Sequence, residues 1–160
     1  MKIRRAQEKD LPQINKLLLQ VLQVHADIRP DIFIPHTTKY TNEELLEILQ
    51  DEDKPIYAAV NEEDVLIGYA FCVLQPAMKS NNMVPHAKLY IDDLCVDESA
   101  RGMHVGEALL EYVKKEAVDM GCYEVTLAVW EGNDSARGFY EHMGWKPKET
   151  IMEFILEKEK

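Results

Sequence analysis

The residues best suited to chemistry lie in one stretch of this chain. Asp92-Asp93-Leu94-Cys95-Val96 runs through Asp97-Glu98-Ser99-Ala100 into Arg101-Gly102-Met103-His104-Val105-Gly106-Glu107. The first part alternates like the end of a strand, and the last part reads as a Gly-bearing turn. Val105, Ala108, Leu109, Tyr112 and Val113 then recur at helical spacing. A turn that opens a helix leaves backbone N–H groups unpaired, and the helix dipole adds partial positive charge there. Such a turn is a site for a phosphate or pyrophosphate. Arg101 adds a permanent cation with planar donors.

Three kinds of phosphate loop have a strand-to-helix turn of this sort. A Walker A loop needs Gly-Lys-Ser/Thr at its end, but Glu107 follows Gly106 here. A dinucleotide fingerprint needs Gly-x-Gly-x-x-Gly, and only Gly102 and Gly106 are present, at the wrong spacing. The third is the acyl-CoA pyrophosphate loop, Arg/Gln-x-x-Gly-x-Gly/Ala. Arg101 to Gly106 fits that pattern at its first and last positions and departs at His104. His tolerates unusual backbone angles better than most residues, so the loop is expected to survive. His104 is then a backbone donor with its ring in solvent.

A second block lies downstream, Asn133-Asp134-Ser135-Ala136-Arg137-Gly138-Phe139-Tyr140-Glu141-His142-Met143-Gly144-Trp145. Together the two blocks resemble the GNAT superfamily of acetyl-CoA-dependent N-acetyltransferases. The second is similar to that family's Asn-x-x-Ala-x-x-x-Tyr-x-x-x-Gly-Phe signature, with Trp145 in place of Phe. Both occur in family order and at family spacing, over roughly the last third of the chain. The first half is less similar.

The resemblance implies a single-domain α/β fold spanning 1–160. It has a mixed, mostly antiparallel central sheet, splayed parallel strands in its middle and flanking helices. It implies acetyl-CoA as cosubstrate and direct attack by an amine, with no metal. The diphosphate would rest on the turn from Arg101 to Glu107. The pantetheine arm would lie as a pseudo-strand against the backbone of Leu94, Cys95 and Val96, with Asn133 touching it and Arg137 a candidate for the phosphates. Tyr140 would protonate the departing thiolate. An unshifted phenol is protonated at neutral pH, although Phe139, Tyr140 and Met143 also have the spacing of a packed helix face.

Acetyl transfer also needs a neutral amine held at attack distance. Asp92 and Asp93 are the base candidates, since successive strand residues point to opposite faces. The pair is similar to the acidic pair of diamine and polyamine acetyltransferases in this family. By that match Asp92 faces the amine and Asp93 is structural. Trp130 and Glu131 edge the acceptor pocket, Glu131 as a second candidate anchor for the amine; Phe33, Tyr40 and Tyr90 are further candidates, and His36 reads first as a surface histidine. The acceptor is expected to be a small cationic amine. Alternatives are a protein or peptide amine, and a non-catalytic acyl-CoA-binding module. A homodimer is expected by resemblance alone.

These residues need elements to position them. Lys2 to Ala6 alternates as a first strand. Asp10 is a candidate cap for the next helix, with Pro12 in its first turn and Leu11, Ile14, Leu18, Val21, Leu22 and His25 on one stripe. Thr41 and Glu44 form a capping box. Residues 55–60, 65–74, 86–96 and 124–129 read as strands, with a bulge or close approach at Gly68. The last helix begins in the Asn133 block, with Asn133, Asp134 or Ser135 as its cap, and 145–148 and 151–156 are expected to close the sheet as strands.

The chain has 160 residues, 46% hydrophobic and 29% charged, which suits one packed core. Lys+Arg 18 against Asp+Glu 29 gives a net charge of −11. That argues against nucleic acid and suits a cationic substrate. No apolar run is long enough for a membrane span and no leader follows Met1, so a cytoplasmic protein is expected. Cys72, Cys95 and Cys122 are odd in number and widely spaced, which argues against disulfides or zinc. Cys95 reads as a small buried residue.

Overall fold

The computed structural model describes residues 1–157. In chain order the elements are β1 (Lys2–Arg5), α1 (Leu11–Ile28), α2 (Asn42–Gln50), β2 (Ile56–Val60), β3 (Leu66–Gln75), β4 (Lys88–Val96), α3 (Val105–Asp119), β5 (Glu124–Leu127) and α4 (Asp134–His142). The five strands lie side by side in sequence order. β1 to β4 pair antiparallel, and β4 pairs parallel with β5.

Two apolar layers enclose the sheet. On one face Leu11, Ile14, Leu17 and Leu18 of α1 and Leu45 of α2 meet Ala58, Tyr69, Phe71 and Cys95. On the other, Val105, Leu109, Leu110 and Val113 of α3 meet Tyr57, Ala59, Ala70, Leu89 and Ile91. Strand alternation produces this sorting, with odd and even residues of β2 and β3 serving opposite layers. Gly68 is a close approach, as expected. A methyl group there would lie 3.0 Å from Val105 Cγ1 and 3.2 Å from the Cys95 carbonyl oxygen. α3 therefore sits tightly on β3, which sets where its N-terminus points. Leu109 is fully buried in this contact. Leu109→Ala is expected to cost about 2–5 kcal/mol of unfolding free energy, measured by urea titration.

Helix starts follow local chemistry. Thr41 Oγ1 accepts from the Glu44 N–H at 3.1 Å, and the Glu44 carboxylate accepts from the Thr41 N–H at 3.0 Å. Asp10 does not cap α1. Its carboxylate accepts from the Gln7 N–H at 2.8 Å and from both Arg4 terminal nitrogens at 2.8 and 3.0 Å, so it closes a short 3-10 turn at Glu8–Asp10 instead.

Three expectations need correction. β5 ends at Leu127, two residues early. The parallel pair stands at one edge of the sheet rather than in its middle. Residues 145–148 and 151–156 form no strand. A strand exists only where backbone partners are supplied, and among the described residues this segment bonds to no strand.

Candidate active site

The turn before α3 has the backbone expected of an anion cradle. Gly102 has φ +81° and His104 has φ +60°, both left-handed. Among the described residues, no acceptor is bonded by the six N–H groups from Gly102 to Glu107. The first N–H to turn back into the helix is that of Ala108, to the His104 carbonyl at 3.1 Å. The His104 ring is exposed and lies 3.3 Å from the Glu107 carboxylate. Arg101 is exposed and forms no ion pair among the described residues. The base of the turn is anchored by buried Asp97, which accepts from the Ser99 N–H and Oγ at 3.1 Å and pairs with Lys16 at 3.3 Å. Those bonds, the Ser99 N–H foremost, hold its carboxyl below the usual range.

β4 leads into this turn with one edge open. Its pairing with β5 runs from Lys88↔Glu124 to Ile91↔Leu127 and stops there. Beyond it, Asp93 to Val96 pair with β3, and among the described residues the backbone of Leu94, Cys95 and Val96 has no strand partner on the β5 side. The register shifts at the same place. Phe71 pairs with Asp93 and Cys72 with Ile91, leaving Asp92 as the extra residue of a bulge. A bulge bends its strand and increases its twist, and the pairing with β5 ends at the residue before it. An open strand edge and a row of free amides are what an amide-bearing arm with a diphosphate requires, so the residues fit the group implied by the resemblance.

The bulge also overturns the expectation that Asp92 and Asp93 serve opposite faces, since strict alternation fails where one strand has an extra residue. The Asp92 carboxylate accepts from Lys39 Nζ at 3.1 Å and from the Tyr40 hydroxyl at 3.4 Å, in a cleft with Phe71 and Ile48. Tyr40 stacks parallel on Phe71, centroids 6.0 Å apart. The Asp93 carboxylate accepts from the Tyr69 hydroxyl at 2.9 Å on the same side. Burial raises Asp93 to about 6, against the Tyr69 hydrogen bond and the Lys39 charge, with Asp92 adding to the rise. Burial works against the charge on Lys39, but Asp92, Tyr40 and Asp93 outweigh it and hold it above its ordinary value.

Sequence reasoning missed Lys39 and Tyr69. The one available signal was the place of Lys39 beside Tyr40. Of the expected pocket residues, Trp130 meets Phe33 edge-on at 5.2 Å and lies 6.5 Å from His25, closing the far end of the early loop. Glu131 is almost fully exposed and pairs with Arg137 at 3.5 Å, and Arg137 also bonds Glu141 at 2.9 Å. Glu131 and Arg137 are thus brought to each other rather than to Asp92. His36 is exposed, and Tyr90 is near enough to Asp92 for that charge to add to the effect of burial in raising its phenol.

Asn133 caps α4, its side-chain oxygen accepting from the Ala136 N–H at 3.3 Å. Tyr140 follows on that helix, tilted against Phe139 and Trp145 at 5.3 and 5.9 Å. Its hydroxyl bonds no group among the described residues. Burial first, then Asp93 and Cys95, push it up to about 12, so it carries its proton at neutral pH. Cys95 is buried with its S–H toward the Leu17 carbonyl at 3.6 Å, and burial pushes its thiol up to about 12. It is a packed residue rather than a ready nucleophile.

Residues 21–145 match the model of the Acetyltransferase (GNAT) family. A glucosamine 6-phosphate N-acetyltransferase from Trypanosoma brucei brucei is 30% identical over 92 residues, 57% of this chain and 58% of that protein. The peptidyl-lysine N-acetyltransferase YjaB of Escherichia coli (strain K12) is 31% identical over 94 residues, 59% of this chain and 51% of that one. The chain thus spans between half and two thirds of the length of these curated relatives. The crystal structure of a mutant of the BH1408 protein from Bacillus halodurans superposes with a TM-score of 0.93 at 28% identity, covering 98% of this chain and 99% of the other.

Proposed function

Because this chain belongs to the acetyltransferase (GNAT) family, we propose that it moves an acetyl group from acetyl-CoA to a primary amine by direct attack. The observation that carries this reading is a juxtaposition: six free amides from Gly102 to Glu107 lie at the end of a strand whose other edge opens at Asp92. Acetyl-CoA supplies an acyl carbon activated as a thioester. The chain's own residues hold it and handle the protons. The amides and Arg101 bind the diphosphate, and Leu94 to Val96 with Asn133 orient the arm. Asp92 attracts the ammonium, and Asp93, through water, takes the proton that must leave before nitrogen attacks. As the carbon–sulfur bond breaks, Tyr140 gives its proton to sulfur and regains one from solvent.

The acceptor is a small cationic amine in this reading, in keeping with the charge of −11. One observation favours a lysine side chain as the second reading. A lysine already sits at Asp92, the chain's own Lys39, with Nζ at 3.1 Å. The named relatives act on a sugar phosphate and on peptidyl lysine, which spans both readings. We further read the protein as a cytoplasmic homodimer.

Coenzyme A thiol release should be followed with polyamines, amino sugars, aminoglycosides and lysine peptides. Release with any of them supports transfer, and Asp92→Asn should raise the KM of the responding amine about tenfold. Acetyl-CoA binding without thiol release on every acceptor would favour a binding module. Gly106→Val tests the cradle. A Cβ at Gly106 would lie 3.1 Å from the Phe139 ring, so a branched side chain must push α3 and α4 apart. Acetyl-CoA Kd, by calorimetry, is expected to rise at least about tenfold.

A further inference from the structure

Among the described residues, Lys39 is the one lysine that pairs with either aspartate of the candidate site. Its Nζ lies 3.1 Å from the Asp92 carboxylate. Lys9, Lys16, Lys114 and Lys148 pair elsewhere, with Asp64, Asp97, Glu111 and Glu124. Lys39 comes from the stretch between α1 and α2, which contains Pro30 and Pro35 and forms neither helix nor strand. Tyr40 anchors it there. The Tyr40 ring stacks on Phe71 of β3, its hydroxyl reaches Asp92 at 3.4 Å, and the Lys39 ammonium lies 5.4 Å from the centre of that ring.

This ion pair has little to do for the fold. The Lys39 side chain is half exposed, and a pair in contact with water contributes little to stability. Its place matters more. The Lys39 ammonium occupies the position given above to the ammonium of an acceptor. It also shares one electrostatic neighbourhood with the groups that handle protons: its charge acts on Asp93, and the charge of Asp93 reaches Tyr140. An amine tethered beside the reacting centre needs no encounter from solution, since placement within one molecule replaces collision.

We propose that Lys39 is a self-acetylation site: with acetyl-CoA bound and no acceptor present, the chain transfers one acetyl group to its own Lys39 Nζ. The proposal rests on the acetyl-transfer reading above. The ammonium gives a proton through water to Asp93, which passes it to solvent. The neutral nitrogen bonds to the acyl carbon, and the carbon–sulfur bond breaks. Sulfur takes a proton from Tyr140, which regains one from solvent. The products are N-acetyl-lysine, free coenzyme A thiol and one proton. An acetylated lysine has no charge and no longer pairs with a carboxylate, so Asp92 becomes open to the ammonium of an incoming acceptor. Self-transfer happens once, because the amide does not react again. It is slow beside turnover of a free amine because, against its burial, Asp92 and its neighbours hold Lys39 above its ordinary value.

The purified chain should be incubated with acetyl-CoA and no acceptor, and followed by thiol release and by mass spectrometry of its peptides. One thiol and one acetyl group per chain are expected, the acetyl group on Lys39. The rate per chain should stay constant over about a hundredfold range of protein concentration. It should exceed the rate at Lys39 in the urea-unfolded chain at least about tenfold. Lys39→Gln, which resembles the acetylated residue, should release no thiol without acceptor. Its KM for a responding external amine should be about tenfold below that of wild type before self-transfer. Lys39 left unmodified overturns the proposal. So does modification no faster than in the unfolded chain, or at a rate that rises with protein concentration. If external amines release thiol meanwhile, acetyl transfer stands and only the self-acetylation falls. If acetyl-CoA binds and neither Lys39 nor any amine takes the acetyl group, both fall.

Discussion

Tyr140→Phe is expected to lower kcat about a hundredfold and to leave the acetyl-CoA Kd within about twofold. The ring remains and so does its packing on Phe139 and Trp145. Only the hydroxyl is lost, and that hydroxyl bonds no protein group among the described residues. With its phenol pushed up to about 12, Tyr140 carries at neutral pH the proton that the proposed mechanism needs. Thiol-release kinetics alongside calorimetry separate the two effects. Full turnover in the variant would mean that sulfur takes its proton from water, with Tyr140 only part of the wall of the gap.

The second large effect concerns Asp93→Asn and pH. Asp93 is faced by Tyr69 from β3, by Lys39 from the early loop and by Asp92 on its own strand; its charge in turn reaches Tyr140 of α4 and Cys95. With its carboxyl raised to about 6, activity should fall as pH drops through about 6, because the protonated acid accepts nothing. Asp93→Asn should remove that limb and lower kcat about a hundredfold or more at pH 8. Stability should move the other way. An acid whose folded pKa lies above its unfolded value favours folding while protonated. That contribution is complete below about pH 4 and is lost as pH rises through about 6. Asn keeps the hydrogen bond from Tyr69 without the buried charge. The variant is therefore expected to melt a few degrees higher than the parent at pH 8 and no higher at pH 4. Loss of activity with an unchanged acid limb would hand the base role to another group.

Local chemistry was legible from the residues alone. The Thr41–Glu44 capping box stands as expected, and of the three candidate caps of the last helix it is Asn133 that bonds the Ala136 N–H; each depends on a few neighbours. The order of strands and helices was legible too, because both periods are regular here. What escaped notice was nonlocal. The bulge at Asp92 exists only in register against Phe71 and Cys72, and no property of Asp-Asp announces it. Lys39 reaches Asp92 from 53 residues away. The last residues were read as two closing strands, 145–148 and 151–156, and form none. A strand also needs backbone partners, and among the described residues this segment bonds to no strand.

One consequence of the open half of β4 concerns the protein before any ligand arrives. Alternate peptide groups between Asp92 and Val96 have no strand partner on the β5 side among the described residues, while their neighbours are locked to β3. In heavy water the free groups should exchange their protons within seconds, as should the row ahead of α3, against a slow background from the layers around Tyr57 and Leu109. In the reading proposed above these are the places an incoming arm and its diphosphate would rigidify, so binding can be followed as a patch of slowed deuteration without any chemistry taking place.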